Sequence, residues 1–85
     1  TQDVPPFMIA DGNPLSIHGL NSVGLKRRGV DEKAQALLKA AFKLLYRDGL
    51  TTRQAIERIE SEVEKVAEVV YLTDFVKAST RGIVR

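Results

Sequence analysis

Asp31-Glu32-Lys33-Ala34-Gln35-Ala36-Leu37-Leu38-Lys39-Ala40-Ala41-Phe42-Lys43-Leu44-Leu45-Tyr46-Arg47 decides the fold class, because its apolar residues recur at helical spacing. Ala34, Leu37, Leu38, Ala41 and Leu45 share one face, with Phe42 flanking it. Asp31 is a natural N-cap, and Glu32 suits the positive end of the helix dipole. At the other end Gly49 is placed as a C′ glycine, with Leu45 and Leu50 able to make the apolar contact of a Schellman stop.

Working downstream, Thr51 and Gln54 have the spacing of a capping box, and Leu50 can pack on Ala55 as a hydrophobic staple. Ile56, Ile59, Val63, Val66 and Val70 continue as the buried stripe of this second helix. From Val69 the stripe turns to a new face defined by Leu72, Phe75 and Val76, which predicts a kink near Ala67–Val70. The last helix ends near Ser79, and Arg81-Gly82 releases a short tail.

Upstream, Asn21 caps a helical turn through Ser22 to Arg28, which Gly29 stops. Before residue 20 the texture changes. Val4-Pro5-Pro6-Phe7-Met8-Ile9-Ala10 is apolar around paired prolines, which favour extended or edge backbone. Asp11-Gly12-Asn13-Pro14 stacks four turn formers, and Leu15 to His18 reads as extended. Two such strands alone are marginal in water, so they are expected to need a partner outside this stretch. The expected fold class is mainly α: a small antiparallel cluster of about three helices plus a short helical turn, preceded by residual short strands.

Composition narrows the chemistry. The 85 residues hold no cysteine, which excludes a disulfide framework, a thiolate metal site and a cysteine nucleophile. The single histidine, His18, cannot build a zinc site alone, and no partner is spaced near it in a catalytic pattern. No apolar run approaches the roughly 18 residues of a membrane span, and no charged-then-apolar leader opens the sequence, so a cytoplasmic location is expected. Hydrophobic residues make up 44% of the chain, against disorder. Because sheet-like sequence is already under way at Thr1, the chain reads as a piece of something larger.

Two groups of basic residues remain. Lys26-Arg27-Arg28 is the densest charge, able to hold a phosphate or diphosphate through forked hydrogen bonds. Adjacent residues diverge by about 100° on a helix, and the same cluster also reads as a complement to a helix C-terminus. Lys39, Lys43 and Arg47 form one ridge on the long helix, suited either to an acidic protein partner or to plain solvation. Glu57, Glu60, Glu64 and Glu68 make an acidic stripe on the next helix; if the two ridges face each other, the basic one is structural. A nucleic-acid module is a weaker alternative, since residues 51–85 balance six basic against six acidic side chains. No catalytic set, metal site or cofactor site emerges from these residues.

Asp3-Val4-Pro5-Pro6-Phe7-Met8-Ile9-Ala10, Gly12-Asn13, Gly19-Leu20-Asn21 and Gly24-Leu25-Lys26-Arg27-Arg28-Gly29 together resemble the carboxy-terminal region of the acyl-[acyl-carrier-protein]–UDP-N-acetylglucosamine O-acyltransferases of lipid A synthesis. The resemblance continues through Ala41-Phe42-Lys43-Leu44-Leu45-Tyr46-Arg47 and Phe75 to Ser79-Thr80-Arg81-Gly82-Ile83-Val84-Arg85. It implies a homotrimeric enzyme with a left-handed parallel β-helix of hexapeptide repeats, ending within residues 1–20, and a helical domain over residues 21–85. It also implies transfer of a 3-hydroxyacyl group from acyl carrier protein to the sugar 3-hydroxyl of UDP-N-acetylglucosamine. The family's catalytic histidine lies in the repeats and His18 does not match it, so the 85 residues are expected to be inactive alone. By the same resemblance Asn21, Arg27 and Arg28 bind the UDP portion, while Lys39, Lys43 and Arg47 suit the acidic carrier protein. Val23 stands where many members have Glu, and Pro14 departs from several members. A purely structural trimerisation cap is the remaining alternative.

Overall fold

The computed structural model describes residues 2–85, leaving Thr1, the first residue of the expected β-helix end, outside the described residues. Strands β1 (Met8–Asp11) and β2 (Ser16–Leu20) lead into a one-and-a-half-turn helix α1 (Ser22–Arg27). Three longer helices follow: α2 (Glu32–Tyr46), α3 (Thr52–Glu62) and α4 (Ala67–Ala78). The architecture is the mainly helical one that the periodicity predicts.

The two strands are each other's partner, which corrects the expectation that both need one from elsewhere. They form an antiparallel hairpin with Met8 opposite Leu20 and Asp11 opposite Ser16. Register shifts between Ile9 and Ala10, whose partners are Gly19 and Ile17, so His18 is the extra residue of a bulge. A bare hairpin of this size is marginal. Here Ile17 is buried with Phe42 of α2 and Val84 near the chain end, which supplies the missing hydrophobic cover.

Helix α2 is the spine. Asp31 Oδ1 accepts from the Ala34 amide at 2.7 Å, as its N-cap position dictates. Ala34, Leu38, Ala41, Phe42, Leu44 and Leu45 are buried, while Leu37 is only partly covered. The main core joins Leu38 and Leu45 to Ile59 of α3 and Leu72 of α4, all fully enclosed. Burying each such side chain is worth about 1.5–3 kcal/mol, so this cluster dominates the stability of the helical part. The end of α2 differs from the expected Schellman stop. Arg47 is the C-cap, and the left-handed residue Gly49 (φ +69°) comes two positions later. The Asp48 amide reaches back to the Lys43 carbonyl instead, at 3.1 Å.

The capping box of α3 forms in both directions: Thr51 Oγ1 accepts from the Gln54 amide, and Gln54 Oε1 accepts from the Thr51 amide. The predicted kink at Ala67–Val70 is displaced. Helix α3 stops at Glu62, Val63 and Val66 are extended, and α4 begins at Ala67. β-Branched residues tolerate extended backbone well. On one continuous helix Val63 and Val69 would be about 120° apart, yet both are buried, so the break lets two faces enter one core. Val70, expected in the buried stripe, is consequently exposed.

The expected free tail is also corrected. Asp3 pairs with Ile83 in a parallel bridge. Its amide donates to the Gly82 carbonyl at 2.9 Å, and the Val84 amide donates to the Asp3 carbonyl at 2.8 Å. Ile83 and Val84 are both buried, and the Tyr46 hydroxyl donates to the Val84 carbonyl at 2.7 Å.

Candidate functional site

The site is built on the turn from β2 into α1. Asn21 ends the extended backbone and caps α1, its Oδ1 accepting from the Gly24 amide at 3.0 Å. Its own amide donates to the Phe7 carbonyl at 2.7 Å, tying this turn to the residue just before β1. Leu25 is 2% exposed and anchors α1 in the main core. The helix stops where the Arg28 amide bonds to the Gly24 carbonyl and Gly29 turns left-handed at φ +77°. Only glycine takes that conformation without strain.

This geometry opens a small pocket of about 120 Å³ lined by Phe7, Met8, Asn21, Gly24, Leu25 and Arg28. Of the three residues expected to bind a nucleotide, Asn21 and Arg28 are brought together here and Arg27 is not. Arg27 precedes Arg28 by one position and is exposed on another side of α1, in keeping with the divergence of adjacent helical residues. Neither arginine takes part in an ion pair among the described residues. With Asn21 Oδ1 committed to the cap, its Nδ2 is the group left to donate. The polar wall can therefore offer an amide N–H and a guanidinium fork, a donor set suited to phosphate oxygens.

Phe7, Met8, Gly24 and Leu25 are the pocket residues that sequence reasoning missed. Phe7 and Met8 come from a separate segment, and no local spacing links them to Asn21 or Arg28.

The second candidate surface lies on α2. Lys39, Lys43 and Arg47 border an open depression of about 560 Å³ floored by Ala36, Ala40 and Phe42. Their availability differs. Lys43 Nζ is 3.0 Å from Asp48 Oδ1. Arg47 donates to the His18 carbonyl at 3.2 Å and its guanidinium lies 5.2 Å from the Phe42 ring centre. Lys39 has no ion pair or hydrogen-bond partner among the described residues. Of the four glutamates of the acidic stripe, Glu60 pairs with Lys77 and Glu64 with Lys33, each at 2.8 Å, and none pairs with Lys39, Lys43 or Arg47 among the described residues. The basic ridge thus faces outward and is not consumed by the glutamate stripe.

His18 is exposed on the bulge, and its ring joins no hydrogen bond or ion pair among the described residues. Nor do three His, Asp or Glu side chains stand close enough to hold a metal among those residues. No described helix is long and apolar enough to cross a membrane. What the geometry offers is two candidate binding surfaces.

The sequence model for domain 2 of the UDP N-acetylglucosamine O-acyltransferases matches residues 3–84. Among curated relatives, the acyl-[acyl-carrier-protein]–UDP-N-acetylglucosamine O-acyltransferase of Thermodesulfovibrio yellowstonii is 45% identical over 84 residues, covering 99% of this chain and 33% of that protein. The corresponding protein of Thiobacillus denitrificans is 48% identical over 84 residues, with the same coverage. The chain spans about a third of the length of these relatives. Among solved structures, the UDP-N-acetylglucosamine acyltransferase of Bacteroides fragilis superimposes with a TM-score of 0.95 at 36% identity, over 100% of this chain and 33% of that one. The acyltransferase structure from Acinetobacter baumannii gives a TM-score of 0.92 at 41% identity, also over 100% of this chain and 33% of the other.

Proposed function

The chain belongs to the UDP N-acetylglucosamine O-acyltransferase family, and on that premise we propose that it is the carboxy-terminal, substrate-holding domain of such an enzyme. The reaction is transfer of a 3-hydroxyacyl group from acyl carrier protein to the 3-hydroxyl of UDP-N-acetylglucosamine. Residues 1–20 close a left-handed β-helix, residues 21–85 form the helical domain, and the whole enzyme is a cytoplasmic homotrimer. The general base is a histidine of the β-helix, so this chain supplies binding and no proton transfer. Alone, it is expected to release no acyl group from the carrier above a no-enzyme control.

Asn21 Nδ2, Arg27 and Arg28 hold the diphosphate of the sugar nucleotide. Arg28 does so from the pocket and Arg27 from the flank, reaching the same ligand across a subunit boundary. Lys39, Lys43 and Arg47 meet the acidic face of the carrier and speed its encounter by electrostatic attraction. The observation that carries this reading is the convergence of Asn21 and Arg28 on one pocket in a chain matched nearly end to end by the family.

Arg28→Ala in the complete enzyme is the test. Loss of a charge-assisted contact raises the Michaelis constant for UDP-N-acetylglucosamine roughly tenfold or more, with the unfolding midpoint unchanged because the side chain is exposed. An unchanged constant overturns the assignment.

A further inference from the structure

Phe7 has a positive φ of +69°, the other described residues with positive φ all being glycines. It follows Pro6 in the turn that enters β1. Proline followed by a left-handed residue is the pattern of a type II turn, whose left-handed position ordinarily falls to glycine or asparagine. A bulky aromatic is an outlier there and stays only where its surroundings hold it. Three sets of contacts do so. Upstream, Pro5 is fully buried and the Asp3 backbone is bonded to the chain end through both Gly82 and Val84. The Phe7 ring packs on the main core and meets Tyr71 of α4 edge-on, with centroids 5.8 Å apart. Its carbonyl accepts from the Asn21 amide at 2.7 Å.

Asn21 is itself unusual. Asp31 and Thr51, the N-caps of α2 and α3, have ψ of 163° and 160°, the extended backbone that caps favour, whereas Asn21 has ψ of 73°. Two bonds hold it there, one from its amide to Phe7 and one from the Gly24 amide to its Oδ1. Asn21 is thereby kept on the pocket wall beside Arg28. Building on the diphosphate reading above, we infer that Phe7 is a positioning residue of that site. Its left-handed backbone aims the carbonyl that sets Asn21, and its ring anchors the turn to the core without meeting the nucleotide. A site whose binding-competent form is only partly populated loses affinity in that proportion. Loosening the Phe7 turn therefore weakens nucleotide binding while every group that touches the ligand is still present.

The test measures UDP affinity of the complete enzyme by calorimetry for Phe7→Leu, Phe7→Ile and Arg28→Ala. Leucine and isoleucine remove the same ring and fill the same volume, so they cost the core alike. They differ in the branch at Cβ, which the left-handed region tolerates worst. Phe7→Leu is expected to bind UDP within about threefold of wild type, and Phe7→Ile roughly tenfold more weakly than Phe7→Leu. The same difference should appear in KM for UDP-N-acetylglucosamine, with kcat alike in the two variants. Equal UDP affinity in the leucine and isoleucine variants overturns the inference, because the ring alone would then matter. If Phe7→Ile does not fold, Phe7→Gly and Phe7→Ala decide in its place: glycine takes positive φ freely and must bind UDP more tightly than alanine, and the reverse or an equal loss overturns the inference. Arg28→Ala reports on the underlying reading separately: if it leaves UDP affinity unchanged, the diphosphate assignment fails whatever the Phe7 variants do.

Discussion

The Asn21 side-chain amide occupies the space that a Cβ on Gly24 would need, with Nδ2 only 2.6 Å from that position. The same amide caps α1 through its oxygen and lines the pocket with Arg28. Gly24→Ala therefore sets two effects against each other. Alanine in place of a helical glycine gains about 1 kcal/mol of propensity. Displacing the Asn21 cap forfeits about 1 kcal/mol. The expected outcome is an unfolding midpoint close to wild type together with a clear loss of UDP affinity. Full affinity in the alanine variant would mean that the Asn21 amide takes no part in binding.

How much of this was legible in the sequence depends on the range of the contact. Asp31, Thr51 and Gln54 act on amides three residues away, so the caps of α2 and α3 could be read directly. The α2 face was readable for the same reason, since a 3.6-residue repeat is a local property. The break at Val63–Val66 was placed too late, because neither residue is a helix breaker and only the joint burial of Val63 and Val69 calls for it. Contacts between Asp3 and Ser79, or Phe7 and Asn21, have no local pattern at all. The same division runs through the site. Asn21 and Arg28 sit within one turn and its stop, whereas Phe7 reaches them from before the hairpin.

Tyr46 locks the end of the chain onto α2. Its hydroxyl donates to the Val84 carbonyl at 2.7 Å, and its ring lies between Phe42 and the Arg85 guanidinium. Tyr46→Phe leaves a buried carbonyl without its donor, which costs about 1–2 kcal/mol in urea titration. Burial also pushes the Tyr46 hydroxyl from 10.0 up to about 12. The folded state then keeps a proton that the unfolded state has lost, so stability declines as pH rises from 10.0 towards about 12. The phenylalanine variant, with nothing to ionise at this position, should show a shallower alkaline decline. Equal declines would show that Tyr46 plays no part in it.

At the other end of the clasp the sign is reversed. The Ser79 hydroxyl, then the Arg81 guanidinium, hold the Asp3 carboxyl below the usual carboxylate range. A depressed folded value contributes stability above the unfolded pKa of about 3.9, and that contribution is lost as pH falls through the folded value. Asp3→Asn keeps the backbone bridge to Ile83 and removes the titrating charge. It should lower the urea midpoint near neutrality and converge on wild type in acid. A constant gap at every pH would leave the carboxylate without a stabilising role.

The basic ridge makes an ordered prediction, because its three members are not equally free. Lys43 is tied to Asp48, and Arg47 is tied to the His18 carbonyl and the Phe42 ring. Lys39 borders the same depression with no such partner among the described residues. A carrier with an acidic face would draw most on the cation that gives up least to meet it. Lys39→Glu should therefore reduce kcat/KM for the acyl carrier substrate most, by roughly fivefold or more at low ionic strength, with Lys43→Glu next. Arg47→Ala should combine a smaller loss with a looser hairpin, visible as faster amide exchange around His18. Rising salt should shrink the Lys39 effect, since exposed charges are screened over about 8 Å at physiological ionic strength. A carrier-free acyl thioester tests the cause: Lys39→Glu should leave its turnover unchanged, and an equal loss with both donors would remove the ridge from carrier recognition.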